Sequence, residues 1–158
     1  MGFATFFFIS WIVIAVFAVM PKQLKMTETS FVYLVILIVS INMSWIVAEE
    51  LKFIKITDKG IDYTAYLLNR SIINPVVLIL FLNVIIKQRK LVKKLLYIGS
   101  SSIILTIISY LSTFFQITEF IKWNVVYEFF YYFILSLLAL FARSLYEKVS
   151  MKEVIRST

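Results

Sequence analysis

Residues 63–86 read YTAYLLNRSIINPVVLILFLNVII, from Tyr63 to Ile86, and the division of this stretch decides how the chain crosses a membrane. Apolar character runs through it, but Asn69-Arg70-Ser71 and Asn74-Pro75 interrupt it. Two readings compete: one kinked helix, or an interfacial turn followed by a short span from Ile72. We adopt the kinked helix, with Asp58 or Asp62 available to cap its start. Proline cannot donate to the carbonyl of Ser71, four residues back, so the helix bends there. Asn69, Ser71 and Asn74 are at hand to satisfy the freed groups.

Outward from this stretch the pattern repeats. Phe3–Met20, closed by Pro21, and Phe31–Ala48, ended by Glu49-Glu50, are apolar runs of 18 residues each. At 1.5 Å per residue, each spans about 27 Å, close to one hydrocarbon core. Leu95–Phe115 and Trp123–Ala142 follow, and a charged tail occupies residues 143–158. The first run lacks a basic flank and a small-residue cleavage site, so it reads as a retained helix rather than a signal peptide. Gly2 opens no myristoylation motif, because Phe6 stands where Ser or Thr is required. The expected fold is all-α: a single transmembrane domain over residues 1–158, a polytopic bundle of five helices with the third kinked at Pro75.

Composition agrees. Hydrophobic residues make up 61% of the 158, with a mean hydropathy of +0.93, whereas a soluble domain stays near half apolar. Cysteine and histidine are both absent. That removes disulfides, thiolate chemistry, the commonest general base and most zinc, haem and copper ligand sets, so no metal or cofactor is expected. Lysine outnumbers arginine 12 to 4 and isoleucine is abundant, which fits an AT-rich bacterial genome and a bacterial cytoplasmic membrane. The net charge of +7 comes from residues flanking the spans, which speaks for topology and anionic lipid rather than nucleic acid.

Orientation follows from the basic residues. With the N-terminus outside, Lys22, Lys25, Lys87, Arg89, Lys90, Lys93, Lys94, Arg143, Lys148, Lys152 and Arg156 lie inside: eleven against the four of Lys52, Lys55, Lys59 and Lys122. The positive-inside bias gives N-out, C-in. Trp45, Tyr63 and Trp123 then fall at outer ends, and Tyr33, Tyr97 and Tyr146 at inner ends. The dense loop 87–94 would touch anionic lipid headgroups.

Three features are candidates for chemistry or packing. Gly99, Ser102, Thr106, Ser109 and Thr113 recur at three- and four-residue spacing, one helix face that suits a packing seam or a hydrophilic path. Asn124, Glu128, Tyr132 and Ser136 form a four-residue stripe on the last span. Counting depth from Tyr63 and Trp123 sets Arg70 and Glu128 at matching levels in the outer half of the membrane. An intramembrane charge is expensive, so an Arg70–Glu128 ion pair is expected, with Asn69, Asn74 or Tyr132 adding hydrogen bonds around a small outward-facing polar site.

The sequence Tyr66-Leu-Leu-Asn-Arg-Ser-Ile-Ile-Asn-Pro75, the basic turn ending Lys93-Lys94-Leu-Leu-Tyr97 and the linker carrying Trp123-Asn124 resemble a family of small five-span membrane proteins from spore-forming Firmicutes. The resemblance covers about residues 66–148 and implies the five-span layout. It implies no activity. Pro21-Lys-Gln-Leu-Lys25 departs from the Trp-rich polar segment that follows the first span in such proteins.

Three functional classes remain. The first is a non-catalytic subunit, regulator or immunity-type protein acting through contacts with a membrane protein partner or a second copy of itself. The second is a small-solute or ion transport or binding component using the polar groups of spans three to five. An intramembrane enzyme is not expected without His, Cys or an acidic cluster; Glu49-Glu50 with Asp58 or Asp62 reads as a solvated loop.

Overall fold

The computed structural model describes the backbone of residues 1–156 and the side chains of residues 1–150. Lys152 and Arg156, counted in the basic tail, lie outside the described side chains. Among the described residues, five helices are long and apolar enough to cross a membrane. They are α1 (Gly2–Val19), α2 (Met26–Glu50), α3 (Gly60–Lys87), α4 (Leu91–Phe114) and α5 (Val125–Arg156). The chain is a multi-pass, all-α membrane protein. In α3 61% of the apolar window is buried, against 22–39% in the other four, so α3 is the hub on which the bundle packs.

The helices are longer than the apolar runs because their ends tolerate polar residues. Glu28 accepts the Lys25 backbone N–H at 3.0 Å, which starts α2 at Met26 rather than at Phe31. No helix breaker follows Ala142, and Arg143 pairs with Glu147 one turn on, so the expected tail from residue 143 is a continuation of α5. Asn83 holds the α1–α2 turn. Its buried Oδ1 accepts from the Gln23 and Leu24 amides at 2.8 and 3.3 Å, while its Nδ2 donates to the Ile79 carbonyl.

α3 is one helix through the interruption, as the kinked reading expects, but the break takes a particular form. Residues Asn69–Ile73 make a wide turn with an i→i+5 bond from the Asn74 amide to the Asn69 carbonyl. Pro75 sits at the start of the next segment. Tyr33 donates its hydroxyl to the Ser71 carbonyl at 2.7 Å, so α2 satisfies the group that proline leaves free. Half-buried Tyr33 thus supplies the donor, and Asn69, Ser71 and Asn74 do not perform that role.

Two three-residue strands, too short to register as alternation in the sequence, join the loops at one end. β1 (Ile54–Ile56) pairs antiparallel with β2 (Thr118–Phe120), with Lys55 opposite Glu119. Gly2 lies at the same end, where a Cβ would come within 2.8 Å of Ile117 Cδ1 and 3.2 Å of Phe115 Cβ.

The ribbon relates two halves of the chain, α2-β1-α3 and α4-β2-α5. Lys52 and Gln116, 64 positions apart, both have positive φ, 52° and 56°, and each ends a helix two residues before a strand. The bond from the Thr57 amide to the Ile117 carbonyl has its counterpart from Ile121 to Phe53. Leu51 to Ile46 corresponds to Phe115 to Leu111, and Phe53 to Val47 corresponds to Ile117 to Ser112. The first halves of these pairs span one residue more, because α2 ends in a wide turn, Ile46–Glu50, that α4 lacks. At the ribbon the two halves thus repeat one helix–strand–helix layout, α1 stands outside it, and both wide turns fall in the first repeat.

On α4 the buried face is Ile98, Ser101, Ser102, Leu105, Thr106, Ser109 and Ser112. Ser102, Thr106 and Ser109 belong to it, but Gly99 and Thr113 are only half-buried at its margins. Nothing stands within 4 Å of a Cβ at Gly99, so that glycine is not a close-approach site. The Ser102 and Thr106 hydroxyls bond to carbonyls of their own helix, Ile98 and Ser102. Ser101 reaches across to Ser136 of α5 at 3.1 Å.

Candidate functional site

Between the two repeats, toward the ribbon end, lies a partly open cavity of about 70 Å³. Both wide turns border it: Val47 and Ala48 from the first, Asn69 and Arg70 from the second. Repeat-related positions from the two halves all line it: Ser44 and Ser109, Val47 and Ser112, Ile54 and Thr118. A wide turn bulges the backbone and leaves carbonyls and side chains displaced from regular helix packing, a geometry that recurs at functional sites. Ser44, Ala48, Tyr66 and Arg70 also line a groove bounded by Trp45, Asp58 and Tyr63, which leads outward at the ribbon end.

Glu128 is 8% exposed and bonded through both oxygens. Ser109 donates to Oε1 at 2.6 Å and the Trp123 indole to Oε2 at 2.5 Å. Two donors thus take the place of water around the carboxylate. Arg70 also lines the cavity, with its guanidinium carbon 5.4 Å from the Tyr66 ring centroid. The expected ion pair between Arg70 and Glu128 is not formed: among the described residues the salt bridge is Arg143–Glu147. Counting depth placed both charges at one level but gave no rotation about the helix axes, and Glu128 is engaged by closer neutral donors.

The remaining candidates gather around this centre. Asn74 Nδ2 donates to the Tyr132 hydroxyl at 3.3 Å. Asn69 Oδ1, Asn74 Oδ1 and Arg70 Nε are buried without a hydrogen-bond partner among the described residues, and all three residues line the cavity. Of the α5 stripe, Glu128 and Tyr132 reach the cavity, Ser136 pairs with Ser101 beneath it, and Asn124 caps the helix by accepting from Val126 and Tyr127. Trp123 and Ser109 join the site from other expected roles, interface anchor and packing seam. A carboxylate five residues after Trp123 is the sequence signal for the first of these.

No protein-family model, curated protein or solved structure matches the chain.

Proposed function

We propose that the chain is a non-catalytic membrane component that binds a small polar solute in the cavity between its repeats. The observation that carries this reading is the convergence of Arg70, Asn69 and Asn74, with buried unpartnered polar atoms, on one cavity at a helix break. Buried polar groups in folded proteins are almost always satisfied, so three orphans on residues that line one cavity mark a place where a further molecule completes the bonding. Solute sites of membrane proteins recur at interfaces between repeats, where helices are discontinuous. A protein that only recruits a partner through its outer surfaces gives this cavity no role.

The positive-inside bias orients the cavity and ribbon outward, in a bacterial cytoplasmic membrane, with the 87–94 turn against anionic headgroups on the inner side. Both Glu128 oxygens are held by fixed donors, which suits a binding wall better than a proton-transfer group. The test is thermal unfolding of the detergent-purified chain against a panel of amino acids, small carboxylates, sugars and polyols. At least one should raise the midpoint of the natural chain and leave Arg70→Gln unmoved, since a ligand stabilises only the state it binds. A panel that never separates the two proteins would overturn the reading.

A further inference from the structure

The cavity wall carries more than a general polarity. Among its described lining residues the charged groups are Arg70 and Glu128, one of each sign, so the wall is neutral overall. The two are not in contact with each other. Arg70 Nε–H lacks an acceptor, while the oxygens of Asn69 and Asn74, side chains of residues 5% and 4% exposed, lack donors. A ligand that completes this wall must present an acceptor to the guanidinium and N–H or O–H donors to the amide oxygens.

Charge narrows the choice. A simple anion would meet Arg70 but bring lone pairs toward two amide oxygens and Glu128. A simple cation would do the reverse. A neutral polyol could fill the hydrogen bonds but would leave the guanidinium without a counter-charge in a low-dielectric setting, where an unpaired charge is costly. One species matches every group: an oxyanion and a protonated amine on the same small molecule. The aromatic side chains of Tyr131 and Trp123 add surface favourable to the ammonium end.

We propose that the cavity takes a zwitterion, its oxyanion on Arg70 and its ammonium toward Asn69, Asn74 and Glu128. The proposal rests on the solute-binding reading and specifies the solute. Two sources offer this chemistry: a free amino acid-like molecule arriving from outside, and the headgroup of an ethanolamine phospholipid.

The test uses the full chain in detergent with L-alanine, phosphoethanolamine, phosphocholine, acetate and ethylammonium as probes. L-Alanine or phosphoethanolamine should raise the unfolding midpoint. Acetate and ethylammonium should not, and phosphocholine, which has no N–H donor, should fail where phosphoethanolamine succeeds. Arg70→Gln and Asn74→Leu should each weaken the response roughly tenfold or more, as loss of one charge-assisted hydrogen bond implies. To separate the sources, mass spectrometry of the protein from nanodiscs of mixed phosphatidylethanolamine and phosphatidylcholine should show selective retention of the former if the headgroup is the ligand. Retention without selectivity, with a response to free L-alanine, assigns the free solute. Should Arg70→Gln fail to fold, Ser44→Cys in a chain that has no other cysteine gives an independent reading, because the zwitterions should slow its alkylation and acetate should not. Acetate acting as strongly as the zwitterions, with dependence on Arg70, would overturn the zwitterion and leave solute binding standing. If no probe or lipid distinguishes the natural chain from Arg70→Gln and none protects Ser44→Cys, the zwitterion falls, and solute binding falls with it if the sugars and polyols fail as well.

Discussion

Tyr33 of α2 donates its hydroxyl to the Ser71 carbonyl of α3 at 2.7 Å, four residues before Pro75, the carbonyl that a regular helix would have bonded to residue 75. A helix break in a membrane persists only when the freed backbone group finds another partner, because lipid offers none. This one contact therefore links the kink, the wide turn at Asn69–Ile73 and the cavity that the turn borders.

Removing the donor should show that linkage. Tyr33→Phe is expected to lower stability by roughly 0.5–1.5 kcal/mol, the net worth of one such hydrogen bond. In the Pro75→Ala background the backbone regains an N–H for Ser71, so the same change should cost much less. Unfolding of the four proteins in detergent gives the coupling directly. Equal costs in both backgrounds would separate Tyr33 from the proline break.

Asn83 should matter more than its neighbours in α3. Asn83→Ala leaves the Gln23 and Leu24 amides without their acceptor at the α1–α2 turn, and an unsatisfied buried group costs about 1–3 kcal/mol. Val84→Ala, half-buried on the same helix, is the control. Comparable losses for the two would show that the turn does not depend on Asn83.

The α4 face makes opposite demands at two small residues. Ser102→Leu should overpack the buried contact and destabilise by roughly 1–3 kcal/mol. Gly99→Ala meets open space and gains helix propensity, so it should be neutral or stabilising by up to about 1 kcal/mol. A large loss at Gly99 would mean that a second molecule covers that margin.

Much of this layout is legible in the residues. Five apolar runs announce five spans, and Pro75 announces the break. The Arg70 and Glu128 charges stand out because a membrane tolerates few of them. What stayed hidden depends on rotation and on distant pairing. Depth can be counted along a helix, but whether Arg70 meets Glu128 depends on how α3 is turned against α5 and on whether its side chain lies back over Tyr66, one turn before it. Ser109 reads as seam and Trp123 as interface anchor until both are seen to hold one carboxylate. The repeat is invisible because equivalent positions hold unlike residues, Val47 with Ser112 and Lys52 with Gln116, and because the wide turn at Ile46–Glu50 shifts the alignment by one. Strands of three residues carry too few positions to show a period.

Orientation rests on charge and is open to a direct check. Reporter fusions placed after Lys94 should read cytoplasm, and fusions after Lys122 should read outside. The reverse pattern would turn the cavity toward the cytoplasm and remove its access to external solutes.

The most direct measurement is the accessibility of the cavity itself. Ser44 lines both the cavity and the outward groove, and the chain has no native cysteine, so Ser44→Cys is a single near-isosteric reporter. In intact cells a membrane-impermeant maleimide added outside should label Ser44→Cys and leave the buried Ser136→Cys untouched. Labelling of Ser44→Cys only after the cytoplasmic side is opened, or at no time without unfolding, would contradict an outward-facing polar cavity.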